Sequence, residues 1–159
     1  MKITIICVGK LKEDFYKKAV SEYAKRLGRY CRLEIIEVSD EKTPEDAGPV
    51  MEEQIKEREA ARILKHVKED AYVFTLEITG SQPDSLAFSR MLSRLTIQGK
   101  SHFQFIIGGS LGLHKSVSLA ANQAVSFSNM TFPHQLMRVI LLEQIYRSYR
   151  IMNGEPYHK

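Results

Sequence analysis

The chain is poor in cysteine, with two in 159 residues. Cys7 and Cys31 lack the paired spacing that grips a metal, and two cysteines make no disulfide framework, so both read as small core or near-core residues in a reducing cytoplasm. No apolar run is long enough to span a bilayer, and none suggests a membrane partner. Residues 1–9 carry one basic residue and a short apolar run that alternates like a strand. They lack a small-residue cleavage site, so they do not read as a signal peptide. The excess of one charge sign is small: net +4 and a pI near 9.0 permit an anionic partner without requiring one. The dinucleotide glycine fingerprint is missing, as is the phosphate loop with its Gly-Lys-Ser/Thr ending. That argues against a dinucleotide-dependent oxidoreductase. Internal repeats and low-complexity tracts are absent too.

What is present fits one compact domain over residues 1–159, with 43% hydrophobic and 26% charged residues. Residues 2–8 form a β-branched strand. Residues 12–27 follow as a helix with Phe15, Ala19, Tyr23 and Leu27 on one face and Gly28 as its stop. Residues 31–38 alternate as a second strand, and residues 39–49 collect Asp, Pro and Gly as a loop would. An amphipathic helix over 51–67 and a strand over 72–76 come next, then a turn at 80–83. Asp84 caps a helix through Gln98 with Gly99 as terminator, and 102–107 is again strand. A short helix from His114, a short strand at 124–127 and a long helix from Pro133 to about Met152 complete the chain. Strands alternating with helices predict an α/β fold with a mainly parallel sheet flanked by helices, its ligands beyond the carboxyl ends of the strands.

Polar, aromatic and histidine groups gather in the last third. Gly108, Gly109 and Gly112 follow the strand at 102–107, where absent side chains let a backbone approach a ligand; a tight turn at a strand end uses glycine equally well. Phe127, Ser128, Asn129, Met130, Thr131 and Phe132 precede a helix N-terminus, whose free N–H groups meet polar ligand atoms; their hydroxyls and amide serve a local cap as readily. In the final helix the apolar set is Leu136, Val139, Ile140, Leu142, Ile145, Tyr149 and Met152. Arg138, Glu143, Arg147 and Arg150 punctuate that surface, either as an ion-pair face or as a basic surface for RNA phosphates. The ending Pro156-Tyr-His-Lys159 favours the second alternative. A non-catalytic RNA-binding module would explain helix and tail, but it would have no use for two loops set for one pocket.

Taken together, Ile107-Gly-Gly-Ser110, the run Ser126-Phe-Ser-Asn-Met-Thr-Phe-Pro-His-Gln135, Arg138-Val139, Glu143-Gln-Ile-Tyr-Arg147 and the ending Pro156-Tyr-His-Lys159 resemble the RlmH family of the SPOUT superfamily over the full length. That resemblance implies a cytoplasmic, homodimeric enzyme without a metal. It would transfer the methyl group of S-adenosylmethionine to N3 of a pseudouridine in 23S rRNA, within the large subunit or the assembled ribosome. It implies a SPOUT-type fold with a C-terminal trefoil knot, which periodicity does not show. It places the cofactor at Leu76, Gly108, Phe127, Ser128, Asn129, Met130, Thr131 and Phe132. An acceptor N3 must lose its proton, so a hydrogen-bonding or basic group near it should help: His158 is the first candidate, with Tyr157 beside it and Arg147 to steady the anion, and His134 is a weaker one. Two positions depart from the family's habit: Leu111, where many relatives carry a polar residue, and Ser148, where alanine is commoner.

Overall fold

The computed structural model describes residues 1–159. Five strands alternate with five helices: β1 (Lys2–Val8), α1 (Asp14–Leu27), β2 (Arg32–Val38), α2 (Pro49–Leu64), β3 (Tyr72–Ser81), α3 (Ser85–Ile97), β4 (His102–Ile107), α4 (Lys115–Ala120), β5 (Gln123–Val125) and α5 (His134–Met152). Every strand pairing is parallel, in the order β2-β1-β4-β3-β5. Parallel strands need crossovers, and helices supply them on both faces. The strand period of two decides which face each side chain joins. Ile3, Ile5, Cys7, Phe74, Phe103 and Phe105 pack with Val20 and Leu27 of α1, Phe88 and Leu92 of α3, and Leu141, Leu142 and Ile145 of α5. Ile6, Val8, Val73 and Ile106 turn the other way, toward Ala60 and Ile63 of α2 and Val117 of α4.

Most boundaries fall within a few residues of those expected, and Asp84 does cap α3, accepting from the Ala87 N–H at 2.6 Å. The expected turn at 80–83 is different. β3 runs on to Ser81, and Val125 of β5 pairs with both Leu76 and Ser81, so the residues between them bulge out of register. Gly80 is the residue that permits this. A Cβ there would lie 2.6 Å from the Val125 nitrogen, and the Ser126 N–H donates to the Ser81 carbonyl at 2.8 Å. Gly28 does end α1, but with right-handed backbone at φ −56°, so no left-handed residue is needed there. Leu27 is buried and Tyr23 packs on the core as expected of that face of α1, and Val20 joins them, but Phe15 is 62% exposed and leaves it.

The largest departure is Arg138. Expected on an ion-pair or phosphate surface, it is only 1% exposed. Its Nη1 donates to Glu37 Oε2 at 2.6 Å, and its Nη2 donates to the carbonyls of Gly9 at 2.6 Å and Val8 at 3.2 Å. Arg138, Leu141, Leu142 and Ile145 share one face, so α5 is docked by a buried guanidinium at one end and by aliphatic packing beyond it. Ser148 is also fully buried, and its hydroxyl donates back to the Gln144 carbonyl at 2.8 Å.

Candidate active site

At the carboxyl ends of β3, β4 and β5 the loops leave a cavity of about 770 Å³. Its walls are residues 76–79 after β3, residues 107–113 after β4, and the stretch from Val125 to Met137 that leads into α5. This is where an open parallel sheet exposes unpaired strand ends and helix N-termini. Of the residues expected to hold a cofactor, Leu76, Gly108, Phe127, Ser128, Met130, Thr131 and Phe132 line the cavity. Asn129 does not; it is exposed.

Local chemistry accounts for the shape of each wall. A Cβ on Gly108 would stand 2.8 Å from the Gly112 carbonyl carbon, and the Gly112 N–H donates to the Gly109 carbonyl at 3.1 Å with φ +82° at Gly112. The glycines therefore close a tight turn upon itself, with the cavity in front of it. Behind Gly109 stand Val8 and the carboxylate of Glu59, whose pKa burial raises. In the third wall, Ser126 Oγ donates to the Ser128 carbonyl and Ser128 Oγ accepts from the Met130 N–H, both at 2.9 Å, so these hydroxyls shape the loop. Phe127 packs edge-on against Phe88, with ring centroids 5.6 Å apart.

Several wall residues were not expected from the sequence. Glu77 is the only carboxylate in the lining; Thr75 Oγ1 donates to one of its oxygens at 2.6 Å and Ser118 Oγ to the other at 2.8 Å. Ile78, Thr79, Leu111, Leu113 and Met137 complete the walls. The signal for Glu77 was an acidic residue just beyond a strand end, which the supposed turn at 80–83 obscured. His134 also lines the cavity; burial and the nearby Arg138 guanidinium lower the pKa of its imidazole, with Asp40 opposing and Lys12 adding to that effect.

Arg147, Tyr157 and His158 come together, but elsewhere. The Arg147 guanidinium lies over the Tyr157 ring at 4.7 Å, its Nη1 stands 3.4 Å from His158 Nδ1, and its Nη2 donates to Glu143 at 2.5 Å. Tyr157 Oη donates to the same Glu143 oxygen at 3.1 Å, and burial with the Glu143 charge pushes its phenol up to about 12. The ring also meets Tyr146 edge-on at 5.0 Å. The tail is thus folded onto the C-terminal half of α5. Met137 at the cavity and Arg147 in the cluster are ten residues apart on α5, about 15 Å along the axis.

A cavity with mixed apolar and backbone walls and one carboxylate fits a small organic ligand carrying positive charge. Comparison with known proteins narrows this. Residues 1–158 match the family model described as "Predicted SPOUT methyltransferase". The chain is 58% identical to a protein of Clostridium tetani and 57% identical to one of Bifidobacterium adolescentis, each over 159 residues and the whole of both chains. Both of those proteins are called "Ribosomal RNA large subunit methyltransferase H". With that match along its length and an all-parallel α/β sheet beneath the cavity, the chain belongs to the SPOUT methyltransferase family.

Proposed function

We propose that this protein methylates N3 of a pseudouridine in 23S rRNA of the large ribosomal subunit, using S-adenosylmethionine and acting as a cytoplasmic homodimer. The observation that carries the proposal is the convergence of three loops on one cavity in a chain whose full-length relatives are called rRNA methyltransferases. S-adenosylmethionine, when bound, supplies an electrophilic methyl group on a sulfonium. The residues present suit it. Leu76, Phe127, Met137 and Leu111 offer apolar contact, strand-end and loop backbone offers hydrogen bonds, and Glu77 gives a negative charge that complements a cationic donor. The deep C-terminal knot belongs to the same proposal; the close crossing of Gly80 over Val125 and the Ser126–Ser81 hydrogen bond are its physical support.

Methyl transfer is an in-line displacement: the methyl carbon leaves sulfur, forms a bond to N3, and the N3 proton departs. Walls that fix the acceptor on one side of the sulfonium supply most of the catalysis. The remaining need is to favour the ring anion left when the N3 proton goes. Arg147 carries a permanent charge suited to that anion, and its hydrogen bond to Glu143 keeps it protonated. Arginine is only a donor, so its approach to His158 Nδ1 selects the tautomer with the hydrogen on Nε2. In that form His158 donates to a ring carbonyl oxygen while the proton passes to water. Tyr157, held protonated, anchors the tail through Glu143 rather than acting as a base.

In one protomer the cluster and the cavity are about 15 Å apart along α5, so the site is composite. Two antiparallel α5 helices about a twofold axis place the tail of one protomer at the cavity of the other. The exposed Phe15 and the partly buried Leu136, Val139 and Ile140 provide apolar surface for that pairing. Mass spectrometry of rRNA nucleosides from cells with and without the protein tests the reaction. The methylated pseudouridine should vanish without it, and an unchanged nucleoside profile refutes the activity. Removing residues 157–159 should abolish methylation while sparing cofactor binding and the dimer; full activity in the truncated protein removes the tail from the mechanism.

A further inference from the structure

A second cleft, of about 280 Å³, opens between the C-terminal ends of α1 and α5. Its cations are Lys25, Arg26, Arg29 and Arg150, and two tyrosines, Tyr30 and Tyr146, form its apolar sides. The guanidiniums are held against rings. Arg26 lies 5.4 Å from the Tyr23 centroid and 5.8 Å from that of Tyr146, Arg29 lies 5.7 Å from Tyr30, and Arg150 lies 5.9 Å from Tyr146. The neighbouring carboxylates are fewer: Glu22 pairs with Arg26 at 2.8 Å, and Glu155 serves both Arg150 and Arg29. Four cations against two carboxylates leave the cleft positive. Arg150 Nε is shut off from solvent and has no acceptor. Cations in a last helical turn also complement the helix dipole, which covers Lys25 and Arg26 in α1 and Arg150 in α5. That effect does not extend to Arg29 beyond the helix end, nor does it supply an acceptor for the orphaned Nε.

The geometry points to this cleft as a seat for a backbone phosphate of the RNA substrate; it rests on the rRNA substrate proposed above. Fixed arginine forks are the side chains best matched to phosphate oxygens, and a stacked guanidinium loses little freedom on binding. The cleft lies directly behind the tail. Tyr146 walls it on one side and meets the Tyr157 ring on the other, and Arg150 Nη2 donates to the Pro156 carbonyl at 3.1 Å. A phosphate held here therefore sits close to the nucleotide that Tyr157 and His158 reach. The cleft fixes the register of the strand and carries no base specificity.

The test measures binding of the protein, loaded with S-adenosylhomocysteine, to large subunits and to assembled ribosomes, both purified from cells lacking this protein, across a salt series, alongside the methylation rate with S-adenosylmethionine at saturating concentration of whichever particle binds. The double variant Arg26→Gln with Arg29→Gln should bind about tenfold more weakly at 0.1 M salt, and its log–log salt slope should be shallower by about one. Its cofactor affinity and saturated rate should match the unmodified protein. A control, Lys65→Gln with Lys100→Gln, removes equal charge from exposed positions elsewhere and should change neither affinity nor slope by more than about twofold. Unchanged affinity and slope in the arginine variant overturn the phosphate seat and leave the methyltransferase proposal standing. Equal weakening in both variants also overturns it, because the effect is then net charge. If the unmodified protein binds either particle without methylating it, the reaction is refuted while the cleft is still judged by the two variants; if it does not bind at all, both fall.

Discussion

Replacing Arg138 by methionine isolates what the buried guanidinium does, because methionine fills similar space with no donor. Three hydrogen bonds go: to Glu37 and to the carbonyls of Val8 and Gly9. The two carbonyls lie in a dry region, and each stranded acceptor costs about 1–2 kcal/mol. Glu37 is 34% exposed and keeps the Leu11 N–H at 3.0 Å, so its loss is about 1 kcal/mol. The total is about 3–5 kcal/mol, a large part of a usual folding stability of about 5–15 kcal/mol. With a urea slope of about 1–3 kcal/mol/M, the unfolding midpoint should fall by about 2 M. Circular dichroism at two protein concentrations separates this from any change in self-association. The complementary substitution Glu37→Gln leaves an amide oxygen for the same donors and should cost less than about 1 kcal/mol. A shift below about 0.5 M for Arg138→Met, or equal shifts for the two variants, would refute the assignment of α5 docking to these strand-end carbonyls.

Gly80→Ala should destabilise the fold by about 1–3 kcal/mol and weaken cofactor binding in calorimetry, since its Cβ meets backbone at 2.6 Å beside the cavity wall; a neutral effect on both would mean the crossing is loose. Gly108→Val should block cofactor binding without unfolding the sheet, read by calorimetry and circular dichroism; normal affinity would clear Gly108 of any part in the cavity. His134 and His102 both have lowered pKa values, so the unfolded chain binds protons more readily. Stability is then intact above the ordinary value of about 6.5 and falls as pH drops through it, a slope that His134→Asn should reduce in pH-dependent urea melts. Methylation should quicken with rising pH beyond neutrality as the N3 proton leaves more easily. A rate that does not change with pH above neutrality would refute that step.

The strands and helices were legible because their apolar periods are local. Lys2–Val8 and His102–Ile107 were readable to the residue, each being a continuous buried run. The order of strands was not legible, since β4 entering between β1 and β3 depends on contacts across a hundred residues. The bulge in β3 was hidden for a related reason. Gly80 and Pro83 are turn residues by composition, and only the partner β5 makes Gly80 part of a strand. Arg138 was misplaced because charge outweighed position. Its spacing to Leu142 and Ile145 set it on the apolar face, and two strand-end carbonyls waited there. The loops of the cavity were visible as clusters of Gly, Ser and aromatic residues, whereas Glu77 and Met137 reached the same space from segments that looked like ordinary strand end and helix.

The guanidinium that joins residue 138 to Val8 and Gly9, the Lys12 N–H given to Gln135, and the Tyr30 hydroxyl given to Glu155 all tie the first thirty residues to the last. During synthesis the opening strand and helix must wait, unsealed, until α5 and the residues just after it have been made, more than a hundred residues later. A chain shortened before that stretch would therefore leave its first strand and helix open to proteolysis.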